Sequence, residues 1–490
     1  MRVLALNPPD ELKVVLHPAE DGSKFLEPDD YGHYPPLGLL YLLGQLEATT
    51  RGHETFFADC VAERIGHADL VRRVLEPTRP DLVAVTSFTI SLLDVIETCR
   101  AIKAWNPRCF VVLGGHHPIA YPREAARLEC VDAIVVGEGE LAFTALVEAR
   151  ARGESIESIE GVYTRESIDR HEPPATRDKR FLAHVSVKPA YVEDLDALAF
   201  PARRHIRHID YHSVLGVTRK MVTMITSRGC PYLCTFCDVP IKSYRERHPD
   251  RVAEEARESQ RMGYEEIHFY DDLFNIDERR VHEICDALDR AQVHMTWSFR
   301  GRVMQASREM LARAQRSGLR QVSVGVETST DDGLAALKKA TSIEQVESFF
   351  AWCRELGIAT IADYMIGLPF ERTATDLERS FAFVKKLDPD YVQFSICTLY
   401  PHTEMYEQAV RQGIVKPGRW DEFAQRPARG FVPDHWTESF TVKELARWQR
   451  RMYKRYYFRP RYVWRSLFRT RSLYELAQKA FGALRILLAT

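Results

Sequence analysis

Three cysteines lie within eight residues of one another, in Ser227-Arg228-Gly229-Cys230-Pro231-Tyr232-Leu233-Cys234-Thr235-Phe236-Cys237. The Cys-x3-Cys-x2-Cys spacing, on a loop after a strand-like run, lets each of three thiolates hold one iron of a cubane cluster. The fourth iron then has no protein ligand and is open to a substrate. A structural zinc site would need a fourth Cys or His at matched spacing, and the next cysteine is Cys285. The other cysteines, Cys60, Cys99, Cys109, Cys130, Cys285, Cys353 and Cys397, stand far apart, mostly in apolar or helical runs where a free thiol behaves as a small core hydrophobe.

Further polar groups recur at the ends of later strand-like runs. Asp271 and Asp272 follow the second, Ser298 and Arg300 close the third, Glu327 closes the fourth, and Gly367 with Pro369 closes the fifth. Singly, each has an ordinary explanation: a helix N-cap, a surface acid, a turn. Four such groups at successive strand ends point to a ligand site.

The elements that must position them form two alternating α/β series. Residues 2–7, 54–59, 81–87, 109–114 and 131–136 read as short strands, with amphipathic stretches at 37–47, 67–75, 92–105 and 122–128. This pattern predicts an open, doubly wound parallel sheet over 1–150, with ligands beyond the carboxyl ends of its strands. Residues 151–215 are polar and irregular and read as a linker. Strands at 221–226, 266–270, 294–299, 321–326, 360–366 and 391–398, with helices at 251–262, 278–291, 308–315, 343–355 and 374–387, predict a partial (β/α)6 barrel over 216–410. Its chemistry belongs on the loops after the strands. Residues 411–490 read as a mostly helical region. There Arg450 to Arg471 carries nine basic residues, no acidic one, and interleaved Tyr453, Tyr456, Tyr457, Phe458, Tyr462, Trp464 and Phe468.

The cysteine segment, with Phe236 directly before the third thiol, resembles the signature of the radical S-adenosylmethionine (radical SAM) superfamily. The resemblance implies a [4Fe-4S] cluster on Cys230, Cys234 and Cys237, whose open iron is chelated by the methionine part of SAM. Reductive cleavage then releases a 5′-deoxyadenosyl radical, fed by a flavodoxin- or ferredoxin-type electron donor. By the same resemblance Asp271 and Asp272 accept the methionine ammonium, and Arg300 and Ser298 hold its carboxylate. Glu327 takes the ribose hydroxyls, Gly367 and Pro369 line adenine, and Phe236 completes the SAM site.

The first series resembles the cobalamin-binding domain fused in front of many radical SAM enzymes, a group that includes anaerobic magnesium-protoporphyrin cyclase-like and hopanoid-modifying enzymes. The residues carrying this are Asn7 and Pro8 after the first strand, Pro36, Leu37 and Gly38 opening the first helix, and Ser87, Phe88 and Thr89 after the third strand. Gly114, Gly115 and His116 follow the fourth strand, and Gly137, Glu138 and Gly139 the fifth. Glycines would let the backbone approach a corrin, and Ser87 and Thr89 would hydrogen-bond its nucleotide tail. The Asp-x-His-x-x-Gly motif that supplies an axial histidine in methionine-synthase-like domains is missing, so cobalamin is expected without protein imidazole on cobalt.

These readings predict a cobalamin-dependent radical enzyme that modifies an unactivated carbon of an apolar or amphiphilic, lipid- or tetrapyrrole-like substrate, by methylation in the leading reading. Oxidative cyclisation or ring rearrangement without methyl transfer is the first alternative, and a non-catalytic cobalamin-binding sensor the second. A methylthiotransferase is rejected, because Cys60, Cys99, Cys109 and Cys130 lie on unsuitable elements for a second cluster. The net charge of -2 gives no global pull toward nucleic acid. No apolar run reaches the ~20 residues that span a bilayer, and no signal peptide is expected, so the expected location is cytoplasmic. The basic, aromatic tail raises peripheral membrane association as one expectation and packing on the barrel as the other.

Overall fold

A computed structural model of the chain describes residues 1–16, 32–170, 178–182, 185–213, 216, 218, 220–470 and 473–488. The first sheet contains β1 (Arg2–Asn7), β3 (Glu54–Asp59), β4 (Leu82–Ser87), β5 (Phe110–Gly115), β6 (Ala133–Val135) and β7 (Val162–Tyr163), in the order β3-β1-β4-β5-β6-β7. β1, β3, β4, β5 and β6 run parallel and β7 is antiparallel to β6. The strands Val3–Leu6, Leu82–Val85 and Val111–Leu113 are apolar runs buried on both faces, as helices on both sides require. Helices Leu37–Thr49 and Gly139–Arg152 cover one face and Leu92–Trp105 the other. The helix Gly139–Arg152, starting at a predicted cofactor glycine, was not anticipated from the sequence.

The second sheet contains β9 (Met221–Met224), β12 (Glu266–Phe269), β13 (Thr296–Gly301), β14 (Leu319–Glu327), β15 (Ala359–Ile366) and β16 (Tyr391–Ile396), all parallel, in the order β16-β15-β14-β13-β12-β9. This is the expected six-stranded partial barrel. Two short antiparallel pairings lie outside these sheets. β10 (Ser227–Arg228) pairs with β11 (Arg245–Glu246) around the cysteine loop, and β2 (Gly32–His33) pairs with β8 (His212–Ser213).

The expected linker is more firmly held than its composition suggests. β7 extends the first sheet past residue 150. The Arg203 guanidinium is buried and donates to Glu255 Oε1 at 2.5 Å and to the Thr223 carbonyl at 2.8 Å. Burial alone would push the Glu255 carboxyl up, but Arg203 and Arg247 hold it below the ordinary range.

The tail divides into two parts. Helix Val442–Tyr457 packs on the barrel, burying Leu445, Met452, Tyr453 and Tyr456 in its main apolar cluster. It also satisfies the exposed edge of β16. The Val392 amide donates to Tyr457 Oη at 2.9 Å, the Phe394 amide donates to Tyr453 Oη at 2.9 Å, and Gln449 Nε2 donates to the Phe394 carbonyl at 2.6 Å. Four helical residues advance about 6 Å and two strand residues about 6.6 Å, so side chains spaced by four can follow a strand edge. Arg455 pairs with Glu378, and Arg459 and Arg465 pair with Asp388, so part of the basic run is neutralised inside the fold. The second part, helix Pro460–Arg469, exposes Val463, Trp464, Leu467 and Phe468. Among the described residues, no helix is long and apolar enough to cross a membrane.

Candidate cluster and cofactor site

The cysteine loop is closed at its base by β10 and β11, and the Cys230 amide donates to the Ile241 carbonyl at 3.1 Å. Gly229 is needed there: its φ is +84°, and a Cβ would stand 2.2 Å from the Ser243 carbonyl oxygen. The Cys237 amide turns back to the Cys234 carbonyl at 3.1 Å, keeping the second and third thiols on one tight turn. All three cysteines are partly accessible, whereas the other seven are buried. Burial pushes the Cys230 thiol up and the Cys237 thiol up to about 11. Bound iron would offset that cost by stabilising the thiolates. Among the described residues no three His, Cys, Asp or Glu side chains converge on a single-ion site. A cubane instead takes one thiolate per iron. Three accessible thiols on a loop with a free face fit it.

Arg302, not singled out from the sequence, places Nη1 3.3 Å from Cys234 Sγ and lies 4.0 Å above the Tyr232 ring. Its other nitrogen donates to the Lys339 carbonyl. The Lys339 Nζ donates to Glu327 Oε1 at 2.9 Å, linking the cysteine loop to the end of β14. Glu327 is buried at a positive φ of 64° on a bulge in the β14–β15 ladder. Burial outweighs Lys339 and pushes its carboxyl up. Gly325 makes room for it, since a Cβ would lie 2.0 Å from Glu327 Oε1.

The two aspartates have different surroundings. Asp271 is buried and accepts from the Thr226 amide at 2.6 Å, the Thr226 hydroxyl at 2.5 Å and the Ser227 hydroxyl at 2.9 Å. It therefore braces the start of the cysteine loop and does not face the mouth, contrary to its sequence-based reading as a ligand acceptor. Asp272 accepts from the Gly229 amide at 3.1 Å and opens into the adjoining cavity. The Ser298 hydroxyl, expected at the methionine carboxylate, is paired with His268 Nδ1 at 2.9 Å. Arg300 is half exposed, stands 5.6 Å over the Tyr270 ring and comes within 3.9 Å of Asp363. The Gly367 amide donates to Glu371 Oε2 at 2.8 Å. At its φ of +76° a Cβ would meet Leu445 of the tail helix at 2.5 Å. Phe236 is partly buried against the apolar cluster around Leu399 and Trp420, and Pro369 is partly exposed beside Gly367.

A cavity of about 460 Å³ lies between the carboxyl ends of β4, β5 and β6 and the cysteine loop. Gly38, Gly114, Gly115, His116, Gly137, Glu138 and Gly139 line one side, with Gly229, Asp238 to Ile241, Tyr270 and Asp272 on the other. A Cβ on Gly38 or Gly114 would meet nothing within 4 Å, so these glycines hold space open, as a corrin cradle requires. Asn7, Pro8, Pro36, Leu37, Ser87, Phe88 and Thr89 are not in its wall. Asn7 is tied to Asp59 at 2.8 Å, Ser87 donates to the Gly114 carbonyl at 2.8 Å, and Thr89 meets His117 Nδ1 at 3.1 Å. Phe88 stacks on His116, whose Nε2 stands 3.4 Å from Asp238. Glu138 lines the cavity but its carboxylate is taken by Arg228 at 3.0 Å and Arg245 at 2.7 Å, with the Val192 amide at 2.7 Å. The two arginines were missed as site residues; the only signal was a charged residue beside each end of the cysteine loop.

A parallel sheet with a glycine-lined mouth, set against a partial barrel carrying three accessible thiols, defines a two-cofactor radical enzyme. Residues 224–384 match the radical SAM superfamily and residues 30–147 the B12 binding domain, so the chain joins both kinds of domain. Its cofactors are a [4Fe-4S] cluster, S-adenosylmethionine and cobalamin. An uncharacterised methyltransferase of Pyrococcus horikoshii is 28% identical over 440 residues, covering 89% of this chain and 90% of that protein. The anaerobic magnesium-protoporphyrin IX monomethyl ester cyclase of Rubrivivax gelatinosus is 26% identical, over 77% of this chain and 66% of the cyclase. The hopanoid C-3 methylase of Methylococcus capsulatus is also 26% identical, over 84% and 76%. The structure of the cobalamin-dependent radical enzyme OxsB with aqua-cobalamin shares the fold, with a TM-score of 0.69 at 14% identity over 99% of this chain and 71% of that one.

Proposed function

We propose that this enzyme methylates an unactivated carbon of a small-molecule substrate held at the barrel mouth. The observation that carries the reading is the shared cavity, whose walls come from the glycine turns of the first sheet and from Asp238 to Ile241 directly after Cys237. When bound, cluster and SAM supply the 5′-deoxyadenosyl radical and cobalamin supplies the methyl group.

The chain's own residues hold and orient these groups. Cys230, Cys234 and Cys237 grip the cluster, and Arg302 beside Cys234 adds positive charge next to its thiolate. Asp272 accepts the methionine ammonium, while Asp271, locked by Thr226 and Ser227, fixes the strand end that aims Asp272. Arg300 pairs with the methionine carboxylate. Glu327, held by Lys339, faces the ribose, and Gly367 and Pro369 leave room for adenine. Gly38, Gly114 and Gly115 admit the corrin. The domains follow as 1–150 for cobalamin, 151–215 as the bracing connection, 216–410 for the radical barrel and 411–490 as its helical cover.

The test is anaerobic, reconstituted protein with a strong reductant and SAM labelled in its methyl group. Formation of 5′-deoxyadenosine together with a labelled product supports methyl transfer. 5′-Deoxyadenosine with an unlabelled, cyclised or rearranged product would replace this reading by the cyclase type, and neither product would leave a sensor. Peripheral membrane attachment is supported by exposed Trp464, Leu467 and Phe468 beside the exposed Arg461. Co-sedimentation with anionic vesicles at low salt, abolished by Trp464→Ser with Phe468→Ser, tests it.

A further inference from the structure

The inner face of the partial barrel is polar. Along β9, β12, β13, β14 and β15 one set of alternate residues, such as Val222, Phe269, Trp297, Val322 and Tyr364, joins the apolar cluster under the helices. The other set faces the barrel interior. In register across four strands it reads Thr223, His268, Ser298, Gln321. Toward the mouth lie Ser323 and Asp363, joined by a hydrogen bond of 3.0 Å. Barrel interiors are ordinarily filled with layers of branched aliphatic residues. This one is not.

One pair is satisfied within the row: Ser298 meets His268 Nδ1 at 2.9 Å, while His268 Nε2 stands 3.3 Å from Glu266 without a hydrogen bond. Others are not satisfied. Thr223 Oγ1, Gln321 Nε2 and Asp363 Oδ1 are buried without a hydrogen-bond partner in the protein. Thr223 is 3% exposed and Gln321 1%, so both are closed off from bulk solvent. A buried donor or acceptor is retained at a cost in stability unless something pairs with it. These atoms stand at both ends of one row and one step above it. The row lies one side-chain layer below Ile225, Tyr270 and Arg300, and the first two of these line the cavity.

We propose that the portion of the substrate entering the barrel is polar: it offers an acceptor to Gln321 Nε2 and a donor, hydroxyl or protonated amine, to Asp363 Oδ1. Thr223 and Gln321 are then specificity-determining residues. This rests on the proposed function and narrows it. An amphiphile can enter by its polar end, and a bare hydrocarbon cannot, because it would leave three buried polar atoms unpaired.

The test uses the full-length, reconstituted holoenzyme with Thr223→Val and Gln321→Met, and a clarified methanol extract of the source cells as probe. Thr223→Val removes only an unpartnered polar atom, and Gln321→Met also removes an acceptor of Arg320 Nη2, which keeps its bond to Glu266, so neither should lower the melting temperature by more than a few degrees. With the extract, the parent should gain thermal stability and pass labelled methyl from SAM to a product containing oxygen or nitrogen. Both variants should lose the thermal gain and about tenfold of the label transfer. Their 5′-deoxyadenosine formation without extract should stay within about twofold of the parent, because the SAM residues are untouched. Variants that keep the parent's thermal gain and label transfer would overturn the proposal, as would a labelled product free of heteroatoms. A parent that cleaves no SAM would refute the proposed function instead, and the extract-dependent thermal gain would still decide the role of the polar row.

Discussion

Arg228 Nη2 donates to Glu140 Oε1 at 2.6 Å, and so fastens the residue two before the first cluster cysteine to the helix Gly139–Arg152 of the first sheet. The same guanidinium reaches Glu138, and both carboxylates are nearly buried. The pair sets the distance between the glycine mouth of one sheet and the cysteine loop of the other. Replacing Arg228 by Met would strand carboxylate charge away from water. We expect a loss of about 3 kcal/mol in denaturant unfolding. Adding Glu138→Gln and Glu140→Gln should recover part of it. A loss below about 1 kcal/mol, the level of surface pairs, would mean the clamp is not a structural joint.

Glu138 also makes a pH prediction. Burial pushes its carboxyl up, but the Arg245 hydrogen bond and the Arg228 charge outweigh this and leave it below the ordinary range. The unfolded chain, with a glutamate near about 4.3, therefore binds the proton more readily than the native one. Its contribution is full above that pH and is lost as pH falls toward the lower native value. Stability measured from neutral pH down through 4 should fall more steeply in the parent than in Glu138→Gln. Equal slopes would contradict the assignment.

The anaerobically reconstituted chain should carry about four irons and four sulfides, with broad visible absorption that bleaches in air. Cys230→Ala, Cys234→Ala and Cys237→Ala combined should abolish both. Iron retained in that variant, or zinc in the anaerobically purified parent, would defeat the cluster assignment.

Cobalamin should bind with no protein imidazole on cobalt. His117 is buried against Thr89, outside the cavity wall, and burial pushes its imidazole down to about 3. His116 lines the cavity but is stacked on Phe88 and turned to Asp238. The Co(II) resonance spectrum should show no imidazole nitrogen splitting. A splitting that disappears in His116→Ala would identify the ligand this expectation denies.

Removing the tyrosine hydroxyls that pair with β16 should loosen the barrel edge. Tyr453→Phe with Tyr457→Phe leaves the Phe394 and Val392 amides without their acceptors. A destabilisation of about 2 kcal/mol is expected, with faster hydrogen exchange at those two amides. Unchanged exchange would mean the helix only packs there. It also follows that a chain truncated at Gly430 should fail to fold stably, since it exposes that edge and the apolar surface under Leu445 and Met452.

The sequence alone was enough for the cysteine spacing and the two α/β series, because each is local. Thiol spacing on one loop survives any arrangement of the rest, and parallel strands buried on both faces announce themselves as short apolar runs between helices. Asp271 and Asp272 are adjacent and chemically identical; only the approach of Thr226, some 45 residues earlier, turns one inward and leaves the other at the cavity. Glu138 lines the cavity, but that its carboxylate is held by Arg245, 107 residues away, could not be read from the sequence. Alternation in β12 to β15 shows that each strand has two kinds of side chain, but not which kind faces the barrel. That depends on which side the helices cover, and on a register that lines up Thr223, His268, Ser298 and Gln321. The tail's arginines and tyrosines suited a membrane or a protein surface equally well. Pairing of Tyr453 and Tyr457 with an edge strand some 60 residues away decided it for helix Val442–Tyr457, because unpaired backbone groups at a sheet edge are satisfied by whatever donors and acceptors the fold brings to them.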